Sequence, residues 1–307
     1  MIALLSPAKT LDFTTPVSIT THTQPQFLNK SEQLIKKLRK LKPQHLQSLM
    51  SISPQLAELN MQRYLNWHLP FTPQNARQAI LAFKGDVYLG LQAANFTEDN
   101  FLYAQQHVRI LSGLYGMLRP LDLIQPYRLE MGTAFVVSAS CKNLYQYWGK
   151  TITQALNNEI LRNCQQYPDD GSLKSAKMVL NLASNEYFAA IVAKQLKAQV
   201  LTIQFKEYKN DQLKMISFFA KRARGLFVNY MVKNNINQID DLQGFTTEGY
   251  CFNSQLSTPN NWAIYAHKPS INCTRNKDLA ILQYLCKENR LNNHLSFIFF
   301  IRIYNFI

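Results

Sequence analysis

Acidic residues are scarce. The 307 residues hold 19 Asp and Glu against 33 Lys and Arg, a formal charge of +14. Charged residues make up only 17% of the chain, below the usual quarter. That excludes a disordered, charge-rich chain, which needs many charges and few apolar residues. Cysteine is also sparse. The five cysteines, at 141, 164, 251, 273 and 286, form no C-x-x-C pair and no Cys/His zinc spacing. An odd, dispersed set excludes a disulfide-stapled scaffold and fits free thiols in a reducing cytosol. Long apolar runs are missing: the longest, Leu295 to Phe306, contains Arg302. It is about half the roughly 20 residues that cross a bilayer, so no membrane span is expected. The apolar start, Ile2 to Leu5, lacks the preceding basic residues of a signal peptide and reads as a buried strand. There is no Walker loop, no G-x-G-x-x-G, no H-E-x-x-H and no G-x-S-x-G around Ser184. The six histidines are scattered, so neither a metal nor a cofactor is expected.

What remains is a 47% hydrophobic chain with a lopsided charge. Such a charge says nothing about fold, but it favours a polyanionic partner. Helical and strand patterns alternate. Helices are expected from about Ser31, at Pro43, over Pro54 to Asn66, after Thr97, and over Asn143 to Asn163. Strands are expected at Met178 to Leu182, Val200 to Phe205 and Leu213 to Phe219, the last two joined by a turn at Tyr208 to Asp211 and followed by a helix from Ala220. The pattern predicts an α/β fold: a mixed sheet with surrounding helices in one domain, residues 1–258. Residues 259–307 differ in texture, with no glycine and many Asn and Ile. They are expected to form a divergent, poorly packed tail of frameshift or read-through origin. A short helix could occur at Leu279 to Leu285, and deletion of the tail should leave the domain folded.

Four segments concentrate Gly, Pro and charge. Ser6 to Asp12 follows the first strand, where ligand loops are common, and Lys9 could face an anion; a solvated loop explains it too. Phe83 to Gly90 contains Lys84-Gly85-Asp86, a turn in which Gly85 could supply a positive φ, or a plain connection. Arg109 to Gly132 carries Gly113 and Gly116 among apolar residues, with Arg119 and Arg128 nearby. That spacing suits a helix-hairpin-helix turn whose backbone N–H groups face a DNA phosphate, and equally a structural glycine turn. Phe218 to Gly225 places Lys221, Arg222 and Arg224 in the first turn of the expected helix. There they oppose the helix dipole unless an anion binds.

Together with Asn181 to Phe188, these segments recur in one order in a known family. The chain resembles the peroxide stress resistance protein YaaA family from Met1 to about Phe252. The resemblance implies a cytoplasmic protein that limits peroxide damage by keeping free iron low. It also implies a family-specific fold with a basic cleft. It further implies binding of double-stranded DNA, branched or distorted forms included, through a helix-hairpin-helix-like element. That element maps onto Leu111 to Gly116. The cations carried by the motifs, Lys9, Lys84, Arg119, Arg128, Lys221 and Arg224, would line the cleft. The competing reading is an enzyme acting on a phosphorylated small molecule or nucleotide, with Lys9, Asp86 and Glu130 beside the same cleft. Direct iron storage is disfavoured by the absence of a repeated Glu-x-x-His pattern. Oligomeric state stays open.

Overall fold

A computed structural model of the chain describes residues 1–266 apart from 18, 167–172 and 210–211. The compact body spans Met1–Ala266. It opens with β1 (Ile2–Leu5), all four residues buried, then β2 (Thr10–Leu11). Three helices follow: α1 (Leu28–Leu38), α2 (Pro43–Met50) and α3 (Pro54–Asn66). Proline opens α2 and α3, where its missing N–H costs nothing. Ser31 lies within α1 rather than capping it, and its Oγ donates to the Phe27 carbonyl.

The chain continues through β3 (Arg77–Gln78), α4 (Ala79–Ala82), β4 (Phe83–Lys84), α5 (Asp86–Leu91) and α6 (Glu98–His107). Thr97 caps α6 as expected: Asn100 N–H donates to its Oγ1, and Asn100 Oδ1 accepts from Thr97 N–H, each at 3.3 Å. Next come β5 (Val108–Ser112), β6 (Gly116–Leu118), β7 (Leu123–Ile124), α7 (Leu144–Trp148), α8 (Thr151–Gln166) and α9 (Leu173–Ala176). The single helix expected over 143–163 is thus broken, at Gly149 with φ 47°. The body ends with β8 (Met178–Asn181), α10 (Asn185–Phe188), β9 (Gln199–Lys209), β10 (Gln212–Lys214), α11 (Ser217–Lys233), β11 (Tyr250–Thr258) and β12 (Asn261–Ala266).

The main sheet runs β11-β12-β9-β8-β1-β5-β6, with β10 paired to β9. Strands β12, β9, β8, β1 and β5 are mutually parallel. Strands β11 and β6 pair antiparallel at the two edges. The mixed α/β sheet is the expected class. β1 and β8 occupy its centre and are fully buried, as strands covered on both faces must be. The connection from β1 leads to β5 on one flank; that from β8 leads to β9 on the other. The strand order therefore reverses between β1 and β8, where open α/β sheets usually place a ligand crevice.

Three expectations need correction. The body does not end at 258. β12 inserts between β11 and β9, and Trp262, Ala263, Ile264 and Ala266 are buried. Residues 261–266 therefore form a strand of the main sheet. Residues 267–307, including the expected helix at Leu279 to Leu285, lie outside the described residues. Second, Gly113 and Gly116 do not join two helices. Gly113 lies in the tight hairpin turn between β5 and β6, and Gly116 opens β6, paired with Ser112. The strong β pattern of Val108 to Ser112, buried throughout, overrides the glycine spacing. Third, α11 starts at Ser217, not Ala220. Lys221, Arg222 and Arg224 are then beyond its first turn, and the argument from the dipole at a helix start does not apply to them. The turn between β9 and β10 includes 210–211, outside the described residues.

Candidate functional site

The loops after β1 and β8 meet at the strand reversal. Ser184 N–H donates to Ser6 Oγ at 2.9 Å, and the two hydroxyl oxygens are 3.4 Å apart. Tyr88, on α5, donates its hydroxyl to the Ser6 carbonyl at 3.0 Å. Beyond Ser6 the chain pairs with β4, Thr10 opposite Lys84. Gly85 fits there for reasons of space: a Cβ on it would lie 3.2 Å from the Ala8 Cβ. Its φ of 165° is extended, so the expected positive φ is absent.

The 127–132 segment closes another side. Lys9 Nζ lies 2.7 Å from Glu130 Oε2, and Arg128 Nη2 lies 3.4 Å from Glu130 Oε1. Glu186 reaches across from α10, accepting the Gly132 N–H at 2.8 Å. Burial raises the hydroxyl pKa values of Tyr88, Tyr127 and Tyr187 well above the ordinary phenol, so these groups stay neutral. They contribute apolar wall and hydrogen bonds rather than charge.

The expected cations divide. Lys9, Lys84 and Arg128 gather at the carboxyl ends of the parallel strands, joined by the β2–β4 pairing and by Glu130. Arg119 does not join them. It follows Leu118, which pairs with Ile110, so it sits toward the start of β5. There it is held by buried Asp122, at 3.1 Å, and lines a separate cleft of about 180 Å³ with Glu159 and Arg162. Lys221 is exposed on α11, and Arg222 pairs with Glu248 at 2.6 Å. Arg224 is partly buried and its Nε has no acceptor; burial lowers its pKa. Helix α11 lies against α5, which follows Gly85 directly.

Gly113 and Gly116 are buried, so their amides do not face solvent. A Cβ on Gly113 would sit 2.4 Å from the Leu129 carbonyl oxygen, and one on Gly116 2.7 Å from the Trp148 ring. Trp148 Nε1–H donates to the Gly113 carbonyl at 3.0 Å. Gly116 also has φ +73°, a conformation that glycine adopts without strain. Both glycines serve packing. The buried β-hairpin setting differs from the expected helix-hairpin-helix turn.

Known proteins match over most of this body. The family description "Peroxide stress protein YaaA" matches residues 1–256. The chain belongs to the peroxide stress protein YaaA family. A UPF0246 protein of Cellvibrio japonicus (strain Ueda107) is 50% identical over 270 residues, 88% of this chain and all of that protein. A UPF0246 protein of Dechloromonas aromatica (strain RCB) is 50% identical over 262 residues, 85% of this chain and 97% of that protein. The YaaA match includes the segments that carry Ser6, Lys9, Lys84, Arg128, Glu130 and Ser184, and a peroxide-stress role follows from it.

One arginine near the 127–132 segment of this YaaA-family chain carries no sequence signal. Arg63 lies in the last turn of α3, with Nη1 3.2 Å from Asn60 Oδ1. The neighbouring Tyr64 hydroxyl donates to the Arg128 carbonyl, tying α3 to the 127–132 segment. Burial lowers the Arg63 pKa, and the Arg128 charge lowers it further. Nothing in an ordinary helical stretch announces that meeting. Among the described residues no group of three or more His, Cys, Asp or Glu could hold a metal ion. No helix among them is long and apolar enough to cross a membrane.

Proposed function

We propose that the protein protects against peroxide by binding double-stranded DNA, branched or distorted forms included, through phosphate contacts in this cleft, in the cytoplasm and without catalysis. Lys9, Lys84 and Arg128 would make the contacts, with Lys221 and Arg224 extending them along α11. The observation that carries the reading is the charge imbalance around Glu130: Lys9 and Arg128 both rely on that one carboxylate. An incoming phosphate supplies the missing negative charge, and no helix-hairpin-helix is needed for it. Such contacts hold the backbone without reading bases. Covering DNA in this way is consistent with limiting damage linked to free iron.

A salt titration of duplex binding tests the reading. Phosphate contacts release counterions, so the logarithm of affinity must fall linearly with the logarithm of salt, with slope about −0.9 per phosphate. A flat response, or no binding to plain, branched or bulged duplex, overturns it.

The Ser6–Ser184 junction supports a second reading, an enzyme acting on a phosphorylated small molecule or nucleotide. Its hydroxyls sit where α/β sheets commonly bind such ligands. A metabolite that saturably raises the unfolding temperature, while duplex DNA does not, would favour that reading.

A further inference from the structure

Strand β9 outruns its neighbours. Its last pair with β8 is Thr202 opposite Asn181, and its last with β12 is Lys206 opposite Tyr265. Beyond them it pairs with β10, where Lys214 stands opposite Glu207. Glu207 is five residues past Thr202, so β10 lies roughly 16 Å beyond the end of β8 at 3.3 Å per residue. That is the carboxyl end of the parallel strands. Two large apolar side chains are bare where β10 leads into α11: Met215 is 58% exposed and Phe218 39%. The Phe218 ring stands edge-on to Phe219, centroids 5.6 Å apart. Lys214 and Lys221 are exposed on either side, with Lys221 three residues after Phe218 on the same face of α11. Neither lysine is in an ion pair among the described residues. The acids nearby are engaged: Glu207 accepts the Tyr250 hydroxyl, and Glu248 pairs with Arg222 at 2.6 Å.

Bare apolar side chains between free cations fit a partner that is apolar and anionic at once. Duplex DNA is such a partner wherever a base step is open, with base faces inside and phosphates on both flanks. We propose that Phe218, with Met215 beside it, is an apolar wedge that enters an opened base step of bound DNA while Lys214 and Lys221 meet the flanking phosphates. Phe and Met are among the side chains that part base steps in this way. This deepens the DNA reading above and rests on it for the partner. What it adds is a contact to bases, and with it a reason to prefer distorted DNA. An intact step must lose its stacking before a wedge can enter, whereas a bulge is already open. Contacts to phosphates hold the backbone and do not touch the bases, so by themselves they give no such preference.

The test uses the full chain and two duplexes of one sequence, fully paired or carrying a bulge of unpaired bases, in fluorescence anisotropy. The wild type is expected to bind the bulged duplex about tenfold more tightly, the effect of stacking one base on an aromatic ring. Phe218→Ala should bring bulged binding down to the level of the paired duplex and leave paired binding unchanged. Phe218→Leu, still apolar, should keep part of the preference. Lys221→Gln should weaken both duplexes alike. A fluorescent base analogue beside the bulge should change its emission on binding the wild type and not Phe218→Ala. Met215 lies outside the helix and is exposed, so Met215→Ser, which should shrink the preference, decides the matter if Phe218→Ala fails to fold. Equal binding of the two duplexes by the wild type, or a preference that survives in Phe218→Ala, overturns the wedge while the DNA reading stands. Self-association of the free protein that Phe218→Ala abolishes, with the bulge preference intact, assigns the patch to contact between copies and likewise overturns the wedge. No binding to either duplex overturns the wedge and the DNA reading together.

Discussion

Gly225 of α11 lies so close to Val87 of α5 that a Cβ on it would fall 1.8 Å from the Val87 carbonyl oxygen. Gly90 answers from α5: its Cβ would lie 2.2 Å from the Arg222 carbonyl oxygen. The two glycines let the backbones touch and fix α11 beside α5. Two effects compete in Gly225→Ala. Helix propensity favours alanine by about 1 kcal/mol. Overpacking against a rigid backbone costs about 1–3 kcal/mol and sometimes more. Backbone cannot rotate away as a side chain can, so the clash wins. Gly225→Ala is expected to lower stability by about 2 kcal/mol or more, read as a lower urea midpoint. An unchanged or higher midpoint would mean that the helices part at little cost.

Sheet membership of β12 gives a second prediction. Trp262 is buried and packs on Phe252, ring centroids 5.0 Å apart. Trp262→Ala should cost about 3–5 kcal/mol, as large-to-small core changes do. A chain cut after Thr258 loses the strand between β9 and β11 and should not unfold cooperatively. Denaturant curves of both variants check this; a cut chain with the wild-type midpoint would sink it.

Buried His107 gives a pH dependence. Its ring stacks on Tyr103 at 4.2 Å, and Nδ1 lies 3.0 Å from the Met1 carbonyl oxygen. Burial lowers its pKa to about 4 from 6.5, helped by nearby positive charge. The folded state thus keeps the ring neutral while the unfolded chain protonates it near 6.5. Between those values the unfolded state binds more protons, so stability rises with pH. The contribution is complete above 6.5 and is lost as pH falls toward 4. Its ceiling is about 3 kcal/mol at 1.36 kcal/mol per unit. His107→Gln should remove most of the loss between pH 7 and pH 5, measured by urea unfolding. An equally steep loss in the variant would assign it to other groups.

Local signals were legible in sequence, and long-range ones were not. The proline starts at Pro43 and Pro54 and the Thr97 cap rest on neighbouring residues, and they hold. β1 and β8 were readable because a strand buried on both faces is a continuous apolar run. The Gly113–Gly116 spacing misled because Trp148, which explains it, arrives on α7. Phe218 and Phe219 suggested strand by β-propensity, yet they sit in the first turn of α11, a case of tertiary context overriding propensity. Lys9 and Arg128 were visible as motif cations, while their shared dependence on Glu130 was not. Arg63 could not be found at all, because what makes it unusual is a neighbour on another element.

That shared carboxylate makes the last prediction one of sign. Glu130 screens Lys9 and Arg128 in the free protein and would repel an incoming phosphate. Glu130→Gln keeps the side-chain shape and removes the charge. If the cleft binds DNA by its phosphates, the variant should bind duplex several-fold more tightly at low salt. Its salt slope should steepen by about 0.9, because Lys9 becomes free for one more phosphate. The gain should fade at high salt, where released counterions count for less. The opposite sign is also informative: weaker binding would mean that Glu130 acts by holding Lys9 and Arg128 in place. Anisotropy at two salt concentrations separates these outcomes, and a loss of affinity at both would refute the charge-deficit account of this cleft.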